Sequence, residues 1–167
     1  IICGSTWPKD EKLIANFIKE NQQYNYIIAP HELSKVQQLQ KWTNGLLFSD
    51  ANEQNIHNSN VLIIDSIGLL SSIYKYGTIS YIGGGFGKGI HNILEPAAFD
   101  TPIIFGPHYN KFNEAKDLIE IGGAKSIKNF NELQEAFSYF FSNYQKNICK
   151  NYIMQKCGST KLVIKKI

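Results

Sequence analysis

The sequence contains no arginine; all seventeen of its basic residues are lysine. Any phosphate or carboxylate it binds must be held by lysine point charges, backbone N–H groups and helix ends, because the planar guanidinium fork is missing. Cysteine is scarce too. Cys3, Cys149 and Cys157 are odd in number and fall in no metal-like spacing, which excludes a disulfide scaffold and points to a reducing compartment with packed or idle thiols. No metal or cofactor site is expected. No apolar run approaches the roughly 20 residues a membrane-spanning helix needs, and no secretory leader pattern is visible, so the domain is expected to be soluble. The net charge of +3 is spread without a lysine block, which leaves no electrostatic footprint for nucleic acid.

What the chain does have is 167 residues, 43% hydrophobic and 19% charged, the composition of one globular domain with a real core. A single domain over residues 1–167 is expected, with neither internal repeats nor low-complexity tracts. The chain opens on Ile1-Ile2-Cys3-Gly4, without methionine and inside a strand pattern, which suggests a piece of something longer.

The most distinctive stretch is Ile79 to Glu95. A β-branched and aromatic run breaks into five glycines, Gly83, Gly84, Gly85, Gly87 and Gly89, and a helix is predicted to restart at Asn92. Asn92 suits an N-cap, Glu95 stands in a capping-box relation to it, and Pro96 falls in the first turn, where its missing N–H costs little. Such a turn is either a tight strand-to-helix connection or an anion site at a helix N-terminus. It is no Walker loop, since Gly89 follows Gly87-Lys88 where Ser or Thr is needed, and it does not fit G-x-G-x-x-G in either register.

Around it, strands and helices alternate. Ile1 to Cys3 end a strand, Gly4-Ser5-Thr6 turn, and a helix runs from about Lys9 to Asn21; Ser5 and Thr6 either cap that helix or present hydroxyls to a ligand. Tyr26 to Ala29 form a strand ending in Pro30-His31-Glu32, with a helix from about Ser34 to Trp42. Leu46 to Ser49 make a short strand before an Asn-rich connector. Val61 to Ile64 deliver Asp65-Ser66-Ile67-Gly68, where Asp65 either accepts from a ligand hydroxyl or caps the next helix, Leu69 to Tyr74. After the glycine turn come a strand Pro102 to Phe105, a helix Lys111 to Glu120, an edge strand Ser126-Ile127 and a helix Asn131 to Tyr144, whose Leu133, Phe137, Phe140, Phe141 and Tyr144 form a core stripe. Two helices, Asn147 to Gln155 and Lys161 to Ile167, end the pattern. This alternation predicts an α/β, Rossmann-like, mainly parallel sheet with helices on both faces, whose strand ends gather Ser5, Pro30, Asp65, the glycine turn and Gly106-Pro107 on one rim.

The run Gly83-Gly84…Gly89, His91-Asn92, Glu95-Pro96-Ala97, Pro102 and Gly106-Pro107 resembles the nucleotide-sugar-binding, C-terminal half of GT-B glycosyltransferases, and most closely the 3-deoxy-D-manno-octulosonic acid (Kdo) transferases of lipopolysaccharide synthesis, with their pattern GGHN-x-x-EPA. Gly4-Ser5-Thr6 matches the Gly/Ala-Ser-Thr of that family. Pro30-His31-Glu32 and Lys35 stand where it shows Pro-Arg-His and a later Arg, and Asp65-Ser66-Ile67-Gly68-Leu69 where it shows Asp-Thr-x-Gly-Glu.

The resemblance implies that the chain is the donor-binding half of a two-domain enzyme that moves Kdo from CMP-Kdo to a lipid A precursor at the cytoplasmic face of the bacterial inner membrane. On it, Glu95 accepts from the ribose hydroxyls, Gly83, Gly84, Gly85, Lys88, Gly89, His91 and Asn92 lie around phosphate and sugar, and Ser5, Thr6, Pro30, His31, Asp65 and Ser66 flank the nucleotide. A carboxylate suits a cis-diol because it offers two acceptors to two donors. The catalytic base is expected in an N-terminal domain, so the chain alone is expected to bind nucleotide weakly without turnover. Another GT-B enzyme, a UDP-sugar transferase or 2-epimerase, and a non-catalytic binding domain remain the alternatives.

Overall fold

The computed structural model describes residues 1–157; the predicted helix from Lys161 to Ile167 lies outside them. The chain enters at the centre of a sheet with β1 (Ile2–Thr6), crosses over through α1 (Pro8–Glu20) to β2 (Tyr26–Pro30), and continues through α2 (Val36–Thr43), β3 (Leu46–Leu47) and β4 (Val61–Ile63). It then returns through α3 (Leu70–Ile73) to the other side of β1, where β5 (Ser80–Ile82), α4 (Leu94–Ala98), β6 (Ile103–Phe105), α5 (Asn113–Glu120), β7 (Ala124–Ser126), α6 (Phe130–Asn143) and α7 (Ile148–Lys156) follow. All six strand pairings are parallel, in the order β3-β4-β2-β1-β5-β6-β7.

Such a sheet is covered on both faces, which is why β5 and β6 read as unbroken buried runs rather than alternating ones. One core contains Ile14, Phe17 and Ile18 of α1, Leu39 of α2 and Leu133, Phe137 and Phe140 of α6. The other contains Tyr74, Ile93 and Ala97, Ala115 and Leu118 of α5, and Cys149 and Tyr152 of α7. Because the strand order reverses between β1 and β5, the connections that leave their carboxyl ends turn to opposite faces of the sheet, α1 to one core and α4 to the other, and border a crevice, the place where ligands enter sheets of this kind.

Several predicted boundaries shift. Strand β3 stops at Leu47 because Phe48–Asp50 tighten into a 3-10 turn. The edge strand ends at Ser126. Helix α4 starts at Leu94, two residues later than predicted, because Asn92 folds its side chain onto the Leu94 amide. Phe141 leaves the predicted core stripe: it is 39% exposed and stacks on Tyr24 at 4.6 Å between ring centroids.

Candidate functional site

The glycine turn is first of all a packing device. Gly83 runs against the end of β1 so closely that a Cβ there would stand 2.2 Å from the Ser5 carbonyl oxygen, and Gly85 lies against Gly106, whose nitrogen would be 2.6 Å from an added Cβ. The three strand ends at the crevice are thus in backbone contact. The turn also closes its own hydrogen bonds: Gly83 N–H donates to Gly4, Gly87 and Gly89 to Gly84, and His91 to Gly83. The Gly84 amide, at a residue with φ +91°, donates to the Asp10 carboxylate at 2.9 Å. Protein acceptors thus occupy the N–H groups of Gly83, Gly84, Gly87 and Gly89.

Asp10 is the keystone beneath the turn. Although 1% exposed, it accepts from Tyr81 Oη at 2.7 Å and from the Trp7 amide at 2.9 Å besides Gly84. Burial raises its pKa, and those three bonds oppose the rise. Glu11 beside it is also buried and is pushed up to about 7, first by burial, with the Thr6 hydroxyl bond acting against it. The Thr6 side chain itself is fully buried and turned toward Glu11. Neither Ser5 nor Thr6 caps α1; the N-cap position is Trp7.

Above the carboxylates three rings meet. Trp7 stacks on His31 at 4.4 Å between centroids, His31 lies 4.6 Å from His91, and Trp7 Nε1–H donates to His91 Nε2 at 2.9 Å. Because an indole nitrogen only donates, His91 holds a lone pair at Nε2 and its proton at Nδ1. These rings separate two recesses. A cleft of about 540 Å³ is lined by Trp7, Phe86 and Gly84 together with Lys88, Gly89 and His91. A shallower groove of about 450 Å³ is lined by Ser5, Pro30, His31, Ser66 and Leu70. Ser5 sits at φ +51°, a left-handed conformation that costs a non-glycine residue and tends to mark functional turns.

Of the remaining predicted residues, Asn92 and Glu95 stand together at the start of α4, with Asn92 Nδ2 donating to Glu95 Oε1 at 2.9 Å and the Leu94 amide donating to Asn92 Oδ1 at 3.0 Å. Asp65 does not cap the next helix. Its carboxylate receives the amide and hydroxyl of Ser49 and so ties the loop after β4 to the turn after β3. Lys35 pairs with Glu32. Sequence reasoning missed Trp7, Asp10, Glu11 and Tyr81; the one available signal was that Asp10 and Glu11 fall a turn before Ile14 and Ala15, on the buried stripe of α1. Among the described residues no cluster of three or more His, Cys, Asp or Glu side chains is arranged to hold a metal, and no helix is long and apolar enough to cross a membrane.

No protein-family model matches the chain. Curated relatives do. The chain is 32% identical over 161 residues to a 3-deoxy-D-manno-octulosonic acid transferase of Rickettsia bellii, covering 91% of this chain and 38% of that protein. It is 35% identical over 144 residues to the transferase of the same name from Rickettsia typhi (80% of this chain, 31% of that one) and 30% identical over 139 residues to that of Aquifex aeolicus (80% and 39%). The chain thus spans about a third of the length of these relatives. Among solved structures, the C-terminal CMP-Kdo binding domain of WaaA from Acinetobacter baumannii superposes with a TM-score of 0.74 at 18% identity, covering 92% of this chain and 84% of that one. The expected Rossmann-like fold is the fold of that domain.

Proposed function

Because the chain is related in sequence to the 3-deoxy-D-manno-octulosonic acid transferases and shares the fold of the CMP-Kdo binding domain of WaaA, we propose that it is the donor-binding domain of a Kdo transferase. Its ligand is CMP-Kdo, bound across the crevice between β1 and β5. What carries this reading is the gathering of Ser5, His31 and His91 about the two recesses where the strand order reverses, combined with the sequence relationship.

In this reading Glu95 accepts from the ribose hydroxyls, a role its bond from Asn92 leaves open because a carboxylate has further lone pairs. The Ser5 hydroxyl and Lys88 meet the phosphate, and His31 and Pro30 border the base. Lys88 stabilises charge on the departing phosphate as a mobile cation, the role that falls to lysine in a chain without arginine. The base for the acceptor hydroxyl and the lipid A precursor site belong to a second, N-terminal domain of a full-length enzyme at the inner membrane, so this chain binds donor without turnover.

A titration with CMP and then UDP, following the amide signals of Gly83 to Glu95, tests this. Selective shifts with CMP are expected. A response to UDP alone would move the chain to another sugar-nucleotide enzyme, and steady Kdo transfer by the chain itself would contradict the assignment of the base to another domain.

A further inference from the structure

The cleft of about 540 Å³ differs in chemistry from the groove on the other side of the rings. Trp7 and Phe86 give it aromatic walls, Gly87 and Gly89 leave room between them, and Pro8 and Lys9 of the first turn of α1 border it. The indole wall is fixed in place. It stacks on His31 at 4.4 Å between centroids and is bonded through Nε1 to His91 at 2.9 Å. A preformed, mostly apolar recess of this size suits a small ring compound, with the few polar groups at its border deciding which one.

Lys9, Lys35, Lys88, Asp10 and Glu32 are the charged residues that line it. Three of these are already committed. The Asp10 carboxylate receives Tyr81 Oη and the amides of Trp7 and Gly84, and Lys35 is paired with Glu32. Lys9 and Lys88 are exposed and have no carboxylate partner among the described residues. The cleft therefore offers two uncommitted positive charges beside aromatic walls, and the start of the 13-residue α1 adds a partial positive charge to them.

We propose that Lys9 is a specificity residue that binds the carboxylate of the donor's sugar acid, with the sugar ring lying in this cleft against Trp7 and Phe86. The inference rests on the nucleotide-binding reading above and names how the sugar of that donor is recognised. In an ulosonic acid joined to CMP, the carboxylate and the phosphate oxygen are bonded to the same carbon, so the two anions must be met side by side. Lys88 serves the phosphate in that reading and Lys35 is held by Glu32, which leaves Lys9 as the cation of the cleft for the carboxylate. An ammonium makes this contact as a point charge, with no fork to match. The 3-deoxy carbon gives the sugar an apolar edge that suits the aromatic walls. A neutral sugar in the same place lacks the counter-ion that Lys9 is there to meet, and is bound less well.

The test uses the whole chain, with Kdo and its uncharged methyl ester as probes and CMP in a parallel titration. The wild type is expected to prefer Kdo over the ester by about tenfold or more, the size of a charge-assisted contact. Lys9→Met keeps an apolar stem and removes the charge from an exposed position, so it should melt with the wild type. It is expected to weaken Kdo by that same factor with little effect on the ester. Lys12→Met removes an equal charge further along α1, where the ammonium lies 5.6 Å from the centroid of the Trp42 ring, and should bind Kdo as the wild type does. A wild type without preference for Kdo over the ester, unchanged Kdo affinity in Lys9→Met, or equal losses for Kdo and ester or in both lysine variants would each overturn the assignment while leaving the nucleotide reading in place. A wild-type chain that ignores CMP would instead remove the nucleotide reading itself, and the sugar-acid assignment with it.

Discussion

Trp7 Nε1 donates to His91 Nε2 at 2.9 Å across 84 residues of sequence, joining the start of α1 to the end of the glycine turn. Protonated His91 has no lone pair to receive that bond. Burial, and after it the neighbouring His31, lowers the His91 pKa, while Asp10 pulls the other way. The folded protein therefore takes up this proton at a lower pH than the unfolded chain. The contribution of His91 to stability is complete above about pH 6.5 and is lost as the pH falls below that value toward the folded pKa. Trp7 fluorescence is expected to change in acid with a midpoint below about 6.5, and the change should vanish in His91→Phe. A midpoint above that value, or an unchanged transition in the variant, would show that the indole does not report on this imidazole.

Glu11 acts with the opposite sign. Its folded pKa of about 7 lies above the ordinary 4.5 because burial penalises the carboxylate. Stability from this site is present below the unfolded value and is lost as the pH rises toward about 7. Glu11→Gln keeps an acceptor for the Thr6 hydroxyl and removes the buried charge. At pH 8 it should stabilise the fold by on the order of 2–3 kcal/mol, and near pH 4 by little. Equal unfolding midpoints for wild type and variant at pH 8 would count against a buried carboxylate at this position.

The three bonds to Asp10 are separable by chemistry. In Asp10→Asn the amide oxygen can keep the Trp7 and Gly84 amides while the Tyr81 hydroxyl turns to accept from the new NH₂ group, so a loss of about 1 kcal/mol is expected. Asp10→Ala strands three buried donors and should cost about 3 kcal/mol or more. Urea midpoints of the two variants measure the difference. Similar values for both would mean that the carboxylate does not anchor the turn.

At Gly83 and Gly87, neither of which has a positive φ, backbone proximity decides whether a methyl group is tolerated. Gly83→Ala would place its Cβ 2.2 Å from Ser5 O and 2.6 Å from Thr6 Cα, whereas at Gly87 the nearest atom, Gly84 O, stands at an ordinary 3.5 Å. Gly83→Ala should prevent folding or shift β1 away from β5, while Gly87→Ala should stay within about 0.5 kcal/mol of wild type. Thermal melts of the pair decide this, and a well-folded Gly83→Ala protein would contradict the close approach.

These contrasts mark what the sequence can and cannot tell. The α/β alternation is legible because short runs such as Ile103–Phe105, apolar at every position, suit strands buried on both faces. The glycine-rich turn after β5 is legible as well. What comes close to it is not, since Ser5 and Gly106 reach the turn only through strand order, and a pairing such as β1 with β5 is a tertiary choice. Thr6 reads as a helix cap or a ligand hydroxyl from its position, and its bond to Glu11, a contact over five residues, depends on α1 burying its acidic first turn. Trp7 and His91 meet through the fold alone.

The most direct measurement is the affinity for CMP of the wild-type chain beside Glu95→Ala, with the melting temperatures of both recorded. The account predicts saturable CMP binding by the wild type and a loss of about tenfold or more in the variant, as for a charge-assisted contact, at little change in melting temperature, because Glu95 sits at a partly exposed helix start and bonds only Asn92 among the described residues. Flat titrations with both proteins, or equal affinity in the variant, would contradict the assignment of the β1–β5 crevice as the nucleotide site.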